Sequence, residues 1–134
     1  MKTEPTRRLK TLSKALWTTF FLFYTGLVFY MSIRPLGEGT PVIGIPGMDK
    51  LAHAGEFALF VLIGLPTVER YEKVERAGVF VAVIAILYGS ITEFSQLFIA
   101  YRTASGLDWL ANVVGTGIGL LIVFKFRYRK NKRQ

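Results

Sequence analysis

The sequence contains no cysteine and a single histidine, His53. The absence of cysteine excludes a disulfide scaffold, a cysteine nucleophile and a cysteine-ligated metal site. Charged residues are also scarce, at 19% of the chain, against about 25% in an average soluble domain. With 51% hydrophobic and 14% aromatic residues, most of the chain is too apolar for intrinsic disorder. A length of 134 residues indicates one domain.

Basic residues are concentrated at the two ends of the chain. Six lie among the last ten residues and four among the first ten, whereas long apolar runs lie between them. A net charge of +8 on a soluble protein would indicate nucleic acid as a partner. This placement is instead typical of a membrane protein, so we expect membrane lipids as partners and no nucleic acid.

Four segments have the apolar composition of membrane-crossing helices. The first, over residues 15–33, has nineteen residues without a charge and ends in Ser32-Ile33-Arg34-Pro35. It is longer than the apolar core of a cleaved signal peptide, so an uncleaved helix is expected. The sequence therefore predicts an all-α fold, an integral membrane four-helix transmembrane bundle, as a single domain over residues 1–134. Its helices are expected at about 15–33, 50–68, 77–100 and 107–126, with a basic tail over 127–134.

Capping residues and helix breakers predict the boundaries. Asp49 follows a stretch rich in proline and glycine and is placed to cap the second helix. Ser105 and Asp108 match a capping box for the fourth helix, with aspartate in place of the usual glutamate. The alternating charges of residues 69–76 predict a short solvated loop. The first helix is aromatic and uncharged beyond Lys14, so we expect it at the lipid-facing edge.

The placement of lysine and arginine predicts the orientation of the bundle. With four crossings, fourteen basic residues fall on the side of the two termini and three on the opposite side. Under the positive-inside rule both termini are expected in the cytoplasm. The first and third connections are then expected to face outward.

Polar residues recur at helical spacing near the predicted outer ends of the last three helices. On each helix they form one stripe, with offsets of three or four residues. A charged group at mid-bilayer costs at least about 2.5–3.5 kcal/mol, so such groups normally face a partner or a wet cavity. We therefore expect the stripes to face one another around one pocket, with Lys50 and Arg102 at its rim. The stripes are Asp49, His53 and Glu56; Gly89, Thr92, Glu93 and Gln96; and Asp108, Asn112, Gly115 and Gly119.

These residues also have purely structural interpretations. The two aspartates can act only as helix caps, and Asn112 can be an interhelical hydrogen-bonding group. Lys50 and Arg102 can be interfacial anchors, and a lone histidine is more often a bonded core residue. Glu93 is harder to explain in this way, because it lies well inside an apolar helix. The two glycines of the fourth helix allow close packing within one chain or between chains, so the oligomeric state is left open.

Three motifs in this constellation resemble those of VanZ-like membrane proteins. Residues 49–53 (DKLAH) resemble the family's D-K-x-x-H motif, and residues 92–96 (TEFSQ) resemble its T-E-x-x-Q motif. Arg102 followed by residues 108–115 (DWLANVVG) resembles the family's R…D-x-x-x-N-x-x-G ending. The resemblance extends over roughly residues 15–125. Glu56 is outside these motifs and is included only because of its depth.

The resemblance implies a small multi-helix protein of the bacterial envelope, in a family whose founding members give low-level resistance to teicoplanin-type lipoglycopeptides. It implies no particular biochemical activity. The first hypothesis is an outward-facing pocket that binds the headgroup of an envelope lipid or of a lipid-linked peptidoglycan precursor, or a lipoglycopeptide. Lys50, Arg102 and two helix N-termini would hold phosphate or carboxylate. Amine, hydroxyl or amide groups would be bound by Glu93, Gln96 and Asn112.

Two further hypotheses stay open. One is an intramembrane hydrolase or transferase that acts on a phosphate-bearing envelope lipid, with His53 as acid/base or nucleophile, oriented by Glu93 or Asp108. The other is a transporter or channel subunit, which is disfavoured because the polar groups stop in the outer half. Although His53 and Glu56 are spaced as in some bundle metal sites, one histidine gives little basis for a metal, and no cofactor is expected.

Overall fold

The computed structural model describes residues 4–34, 47–72, 74–99 and 104–132. These ranges contain four helices, α1 (Glu4–Ile33), α2 (Met48–Val68), α3 (Val74–Gln96) and α4 (Gly106–Asn131). Each helix contains a segment long and apolar enough to cross a membrane. The predicted all-α fold with four candidate membrane-spanning helices is therefore confirmed.

Four helix boundaries differ from the prediction, and in three of them charged residues continue a helix beyond its apolar run, whereas α3 ends earlier than predicted. α1 begins at Glu4 rather than near residue 15. α3 begins at Val74, inside the charged stretch predicted as a loop, and ends at Gln96 rather than near residue 100. α4 continues to Asn131, into the predicted basic tail. Lysine, arginine and glutamate are good helix formers, so a boundary set by the end of an apolar run falls short.

The N-cap of α2 is Gly47 and not Asp49, which corrects the prediction from sequence. Gly47 has a φ of 83°, in the left-handed region that glycine enters without steric cost. Asp49 instead lies in the first turn, where a carboxylate interacts favourably with the positive end of the helix dipole. Its side chain accepts a hydrogen bond from Lys50 at 2.8 Å.

The most extensive helix packing is between α2 and α4. A Cβ atom on Gly119 would lie 2.8 Å from the carbonyl oxygen of Ala58, and one on Gly115 would overlap the backbone of Ala54. Only glycine allows this approach, so the small-residue spacing of α4 serves packing within the chain. Gly115 lies against Ala54, and Gly119, one turn later, lies against Ala58, one turn later on α2. The two helices therefore run parallel.

Buried hydrophobic side chains fill the middle of the bundle. Phe57 and Phe60 of α2 stack with ring centroids 5.8 Å apart, and Tyr88 of α3 packs against both. A second cluster continues along α2 and α3 and consists of Val61, Leu65, Ala77 and Val81. The part of the bundle between its two polar ends is therefore an apolar core.

α1 packs on α2 and α3 and, within the described ranges, makes no contact with α4. It lies at the edge of the bundle, but its aromatic residues do not all face outward. The Phe21 ring meets Phe60 edge-on at 4.9 Å, and the Tyr24 hydroxyl donates a hydrogen bond to the backbone oxygen of Glu56 at 2.8 Å. These side chains attach α1 to the core from its position at the edge of the bundle.

The connection between α2 and α3 is held against the other helices and is not merely a solvated loop. Glu69 forms an ion pair with Arg127 of α4, and the Glu69 side chain is only 16% exposed. The Arg70 guanidinium lies over the Trp17 ring of α1, 4.5 Å from its centroid. The early part of α1 and the end of α4 thus meet this connection at one end of the bundle.

Candidate functional site

The polar residues identified from the sequence lie toward the other end of the bundle. Arg102 lies outside the described residues, so its predicted position at the rim stays a prediction. On α3 and α4 the following polar side chains are buried: Thr92, Glu93, Gln96, Asp108, Asn112 and Thr116. Buried polar groups need hydrogen-bond or ion-pair partners.

Lys50 joins the start of α2 to the start of α4. Its Nζ atom lies 2.5 Å from Asp108 Oδ1 and 2.8 Å from Asp49 Oδ2. The Asp108 side chain is 13% exposed, whereas that of Asp49 is 60% exposed, so the contact with Asp108 is the more shielded of the two. Because two carboxylates already neutralise Lys50, its charge is less available to an anionic ligand than the sequence suggested.

The capping box predicted for α4 is formed in part by another helix. Ser105 Oγ accepts the backbone N–H of Leu107 at 3.2 Å, as expected for an N-cap serine. The backbone N–H of Ser105, however, donates to Glu93 Oε2 at 3.2 Å and not to Asp108. Glu93 of α3 therefore takes the place that the sequence assigned to Asp108, which is engaged by Lys50.

Several buried polar atoms have no hydrogen-bond partner within the described part of the chain. At this end of the bundle they are Glu93 Oε1, Gln96 Nε2 and both the oxygen and the nitrogen of the Asn112 amide. Gln96 and Asn112 are each only 2% exposed. Asn112 packs against Gly89 of α3, where an added Cβ would lie 3.2 Å from Asn112 Nδ2. Buried polar groups are normally hydrogen-bonded, so these atoms can accept or donate bonds beyond those that the described residues make.

A pocket of about 210 Å³ opens beside these groups. Its wall includes Gln96 of α3 and residues from the polar stripe of α2. The end of α1 forms the third side, which the sequence analysis did not foresee. The pocket is lined by Met31, Ser32, Arg34, Asp49, Ala52, His53, Glu56 and Gln96. Nothing in the sequence of α1 distinguishes these lining residues, since Arg34 directly after the apolar run is also typical of a helix end at a membrane surface.

The structure divides the predicted constellation into two parts. The stripe of His53 and Glu56 faces the pocket near the end of α1, whereas the α4 stripe packs on the opposite side of α2 through Gly115 and Gly119. His53 is half-buried and forms no hydrogen bond with Glu93, whose Oε2 binds Ser105. Thus, of the described stripe residues, those of α2 and Gln96 of α3 line this pocket, and those of α4 do not.

The described residues contain no group of three histidine, aspartate or glutamate side chains placed to hold a metal ion. The lone imidazole and the carboxylates are distributed between the pocket and the Lys50 contacts. The chemistry that this end of the bundle offers is hydrogen bonding and charge pairing.

A family model described as VanZ/LLP1 matches residues 5–127. The chain belongs to the VanZ/LLP1 family. No curated protein and no solved structure matches it. The match confirms the family resemblance carried by the three motifs and covers most of all four helices. Together with the four apolar helices, VanZ-family membership identifies a multi-pass membrane protein.

Proposed function

We propose that this VanZ-family protein binds the polar headgroup of an envelope lipid, or of a lipid-linked cell-wall precursor, in the pocket beside Gln96. The observation that carries the proposal is the unsatisfied Gln96 Nε2 in the pocket wall, with the unsatisfied Glu93 Oε1 one turn away on α3. Buried polar groups are nearly always hydrogen-bonded, and a headgroup would supply partners that the described residues do not provide. The acyl chains of such a ligand would remain in the bilayer.

In this proposal the pocket faces the outer leaflet and both termini are cytoplasmic. The support is the distribution of charge, with fourteen of the seventeen basic residues on the side of the termini. The contact of Arg70 with Trp17 and the ion pair of Arg127 with Glu69 bring basic segments to the end away from the pocket. A ligand would therefore enter from the outer leaflet.

Lower susceptibility to lipoglycopeptides such as teicoplanin would follow from headgroup binding. An occupied pocket would mask or rearrange the antibiotic's target or its membrane anchor at the outer surface. This part of the proposal depends on the outward orientation, because a pocket at the cytoplasmic face would not meet either of them.

An intramembrane hydrolase or transferase is the second candidate. It is favoured by His53, which lines the pocket together with Glu56. The residues expected to orient the imidazole are engaged elsewhere, since Glu93 binds Ser105 and Asp108 binds Lys50. A transporter has less support, because the apolar cluster around Phe57 fills the middle of the bundle. Binding is therefore the better supported function.

Lipid that copurifies with the protein tests the binding proposal. Gln96→Leu removes the unsatisfied donor at similar size, and Ser95→Ala, one residue away, removes a hydroxyl that bonds only within its own helix. We expect mass spectrometry to find a stoichiometric headgroup lipid on the unmodified protein and on Ser95→Ala, and to find it strongly depleted on Gln96→Leu at unchanged thermal midpoint. If Gln96→Leu retains as much lipid as the unmodified protein, the lipid does not bind in this pocket.

A further inference from the structure

We infer that the pocket selects a small zwitterionic headgroup, a primary ammonium joined to a phosphate, and not a simple anion or a large sugar-peptide unit. This inference rests on the proposed function and specifies its ligand class. It follows from the charges around the pocket, from the buried Gln96 amide and from the pocket volume.

The charges that line the pocket favour a cationic group. Asp49 and Glu56 contribute two carboxylates, whereas Arg34 is the one lysine or arginine among the described lining residues. Lys50 pairs with both Asp49 and Asp108, so three carboxylates stand against two cations when these residues are counted with Glu56 and Arg34. Glu56 and Arg34 also have contacts within the protein, so only their charge enters this argument. An isolated phosphate would meet net negative charge here, while an ammonium would be attracted.

The Gln96 amide supplies the second requirement, a hydrogen-bond acceptor on the same ligand. Gln96 is 2% exposed and lines the pocket, and its Nε2 has no hydrogen-bond partner among the residues that the structure describes. An amide N–H donates and cannot bind an ammonium, so the group facing it must carry an acceptor oxygen. Arg34, whose planar guanidinium suits phosphate, lies in the wall of the same pocket. A phosphate facing Arg34 and Gln96, with an ammonium facing Asp49 and Glu56, places each charge of the headgroup beside the opposite charge in the pocket wall.

The volume of the pocket limits the size of the headgroup. About 210 Å³ corresponds to roughly seven water molecules at about 30 Å³ each. This is below the range of about 300–1,000 Å³ for pockets that enclose drug-sized ligands. An aminoethyl phosphate group fits within such a space, whereas most of the sugar-peptide unit of a cell-wall precursor would lie outside it. Among the ligands of the proposed function, the structure thus favours an amine-bearing phospholipid.

The test compares short-chain phosphatidylethanolamine, phosphatidylglycerol and phosphatidylcholine as probes for the full-length protein in detergent. Phosphatidylglycerol lacks the ammonium, and phosphatidylcholine has no N–H donor on its cation. We expect phosphatidylethanolamine to bind about tenfold or more tightly than either, since a charge-assisted hydrogen bond distinguishes it. Glu56→Gln and Asp49→Asn are each expected to reduce this preference severalfold. Glu72→Gln, in the exposed connection at the other end, is the matched control and should leave it unchanged.

The outcomes separate the inference from the proposed function. If phosphatidylglycerol binds as tightly as phosphatidylethanolamine and Gln96→Leu abolishes both, the lipid site stands and the zwitterion inference is overturned. If Gln96→Leu changes the binding of no lipid, the proposed function itself fails.

Competition by soluble phosphoethanolamine would support recognition of the headgroup alone. A retained preference without such competition would also support the inference and would show that the acyl chains contribute affinity. Because Asp49 is exposed, Asp49→Asn is expected to fold, and it measures the effect of a lost carboxylate on lipid preference if Glu56→Gln does not fold.

Discussion

Glu93 and Ser105 join α3 to α4 through one hydrogen bond, in which Glu93 Oε2 accepts the backbone N–H of Ser105 at 3.2 Å. The acceptor for this helix start thus comes from a different helix. Since Glu93 is 7% exposed and its Oε1 has no partner in the described part of the chain, the same carboxylate orders α4 and keeps one oxygen unsatisfied. This arrangement gives Glu93 a structural role and a possible binding role that mutations can separate.

The stability of Glu93 variants tests the structural role. Glu93→Gln retains an acceptor for Ser105, whereas Glu93→Ala removes it and leaves a cavity. We expect Glu93→Gln to unfold near the midpoint of the unmodified protein and Glu93→Ala to lose about 1–2 kcal/mol, in the range of a lost helix cap. Thermal unfolding in detergent is the measurement. Equal stability of the two variants would contradict the cap.

Teicoplanin tolerance in a sensitive bacterium tests the functional role of the same residue. Glu93→Gln and Arg102→Lys are both expected to abolish tolerance while the membrane protein level stays unchanged. The first removes a charge, and the second loses the planar fork that binds phosphate or carboxylate at two points. Full tolerance in both well-expressed variants would exclude these residues from the function, and tolerance that follows protein level would indicate a structural role only.

The contact between Lys50 and Asp108 is expected to be stabilising only when both partners are present. Asp108→Leu leaves Lys50 near the bundle without its more shielded partner, and Lys50→Met leaves the Asp108 carboxylate largely buried and unpaired. Each single variant should lower the thermal midpoint, and the double variant should recover part of the loss, because removing one partner costs more than removing both. Additive losses in this double-mutant cycle would show that the two groups are not coupled.

The close packing of α2 and α4 predicts opposite effects for two neighbouring glycines. A Cβ on Gly115 would overlap the backbone of Ala54, whereas one on Gly117 meets nothing within 4 Å. Gly115→Ala is expected to cost about 1–3 kcal/mol through overpacking. Gly117→Ala is expected to be neutral or to stabilise by up to about 1 kcal/mol, since alanine is the better helix former. A chemical or thermal unfolding series measures both, and a tolerated Gly115→Ala would refute the observed helix approach.

The four-crossing topology is testable with single cysteines, because the chain has none of its own. Gly39→Cys in the first connection and Lys73→Cys in the second are expected to react with a membrane-impermeant thiol reagent from opposite sides. The outer surface should expose the first and the cytoplasm the second. Labelling of both from the same side would refute the model of four crossings.

The helices were predictable from sequence because their signal is local. Uncharged runs and charge bias predict four membrane spans in an all-α bundle, and Glu93, Gln96, Asp108 and Asn112 all occur as buried polar residues. The partners of these residues were not predictable. Whether Asp108 meets Ser105 or Lys50 depends on the rotation of α2 against α4, which the spacing within one helix does not specify.

The same limit explains why the α1 side of the pocket was missed. Hydrophobic and aromatic residues cover several faces of α1, so its sequence does not indicate which face meets the bundle. The contacts of Tyr24 with Glu56 and of Phe21 with Phe60 determine which face of α1 packs on α2. In this orientation Arg34 lies in the pocket wall. The residues around Arg34 in the sequence do not indicate that its side chain lines a pocket.

The parallel packing of α2 and α4 has a consequence for biosynthesis. Ala58, which packs against Gly119, is synthesised roughly 60 residues before it. At about 5–20 residues per second, this separation corresponds to a delay of roughly 3–12 s. During this interval Lys50 has no Asp108, and the backbone of α2 has no glycine face against it. The nascent second helix therefore lacks its most extensive packing partner until the fourth helix has been synthesised. Completion of the bundle depends on its final segment.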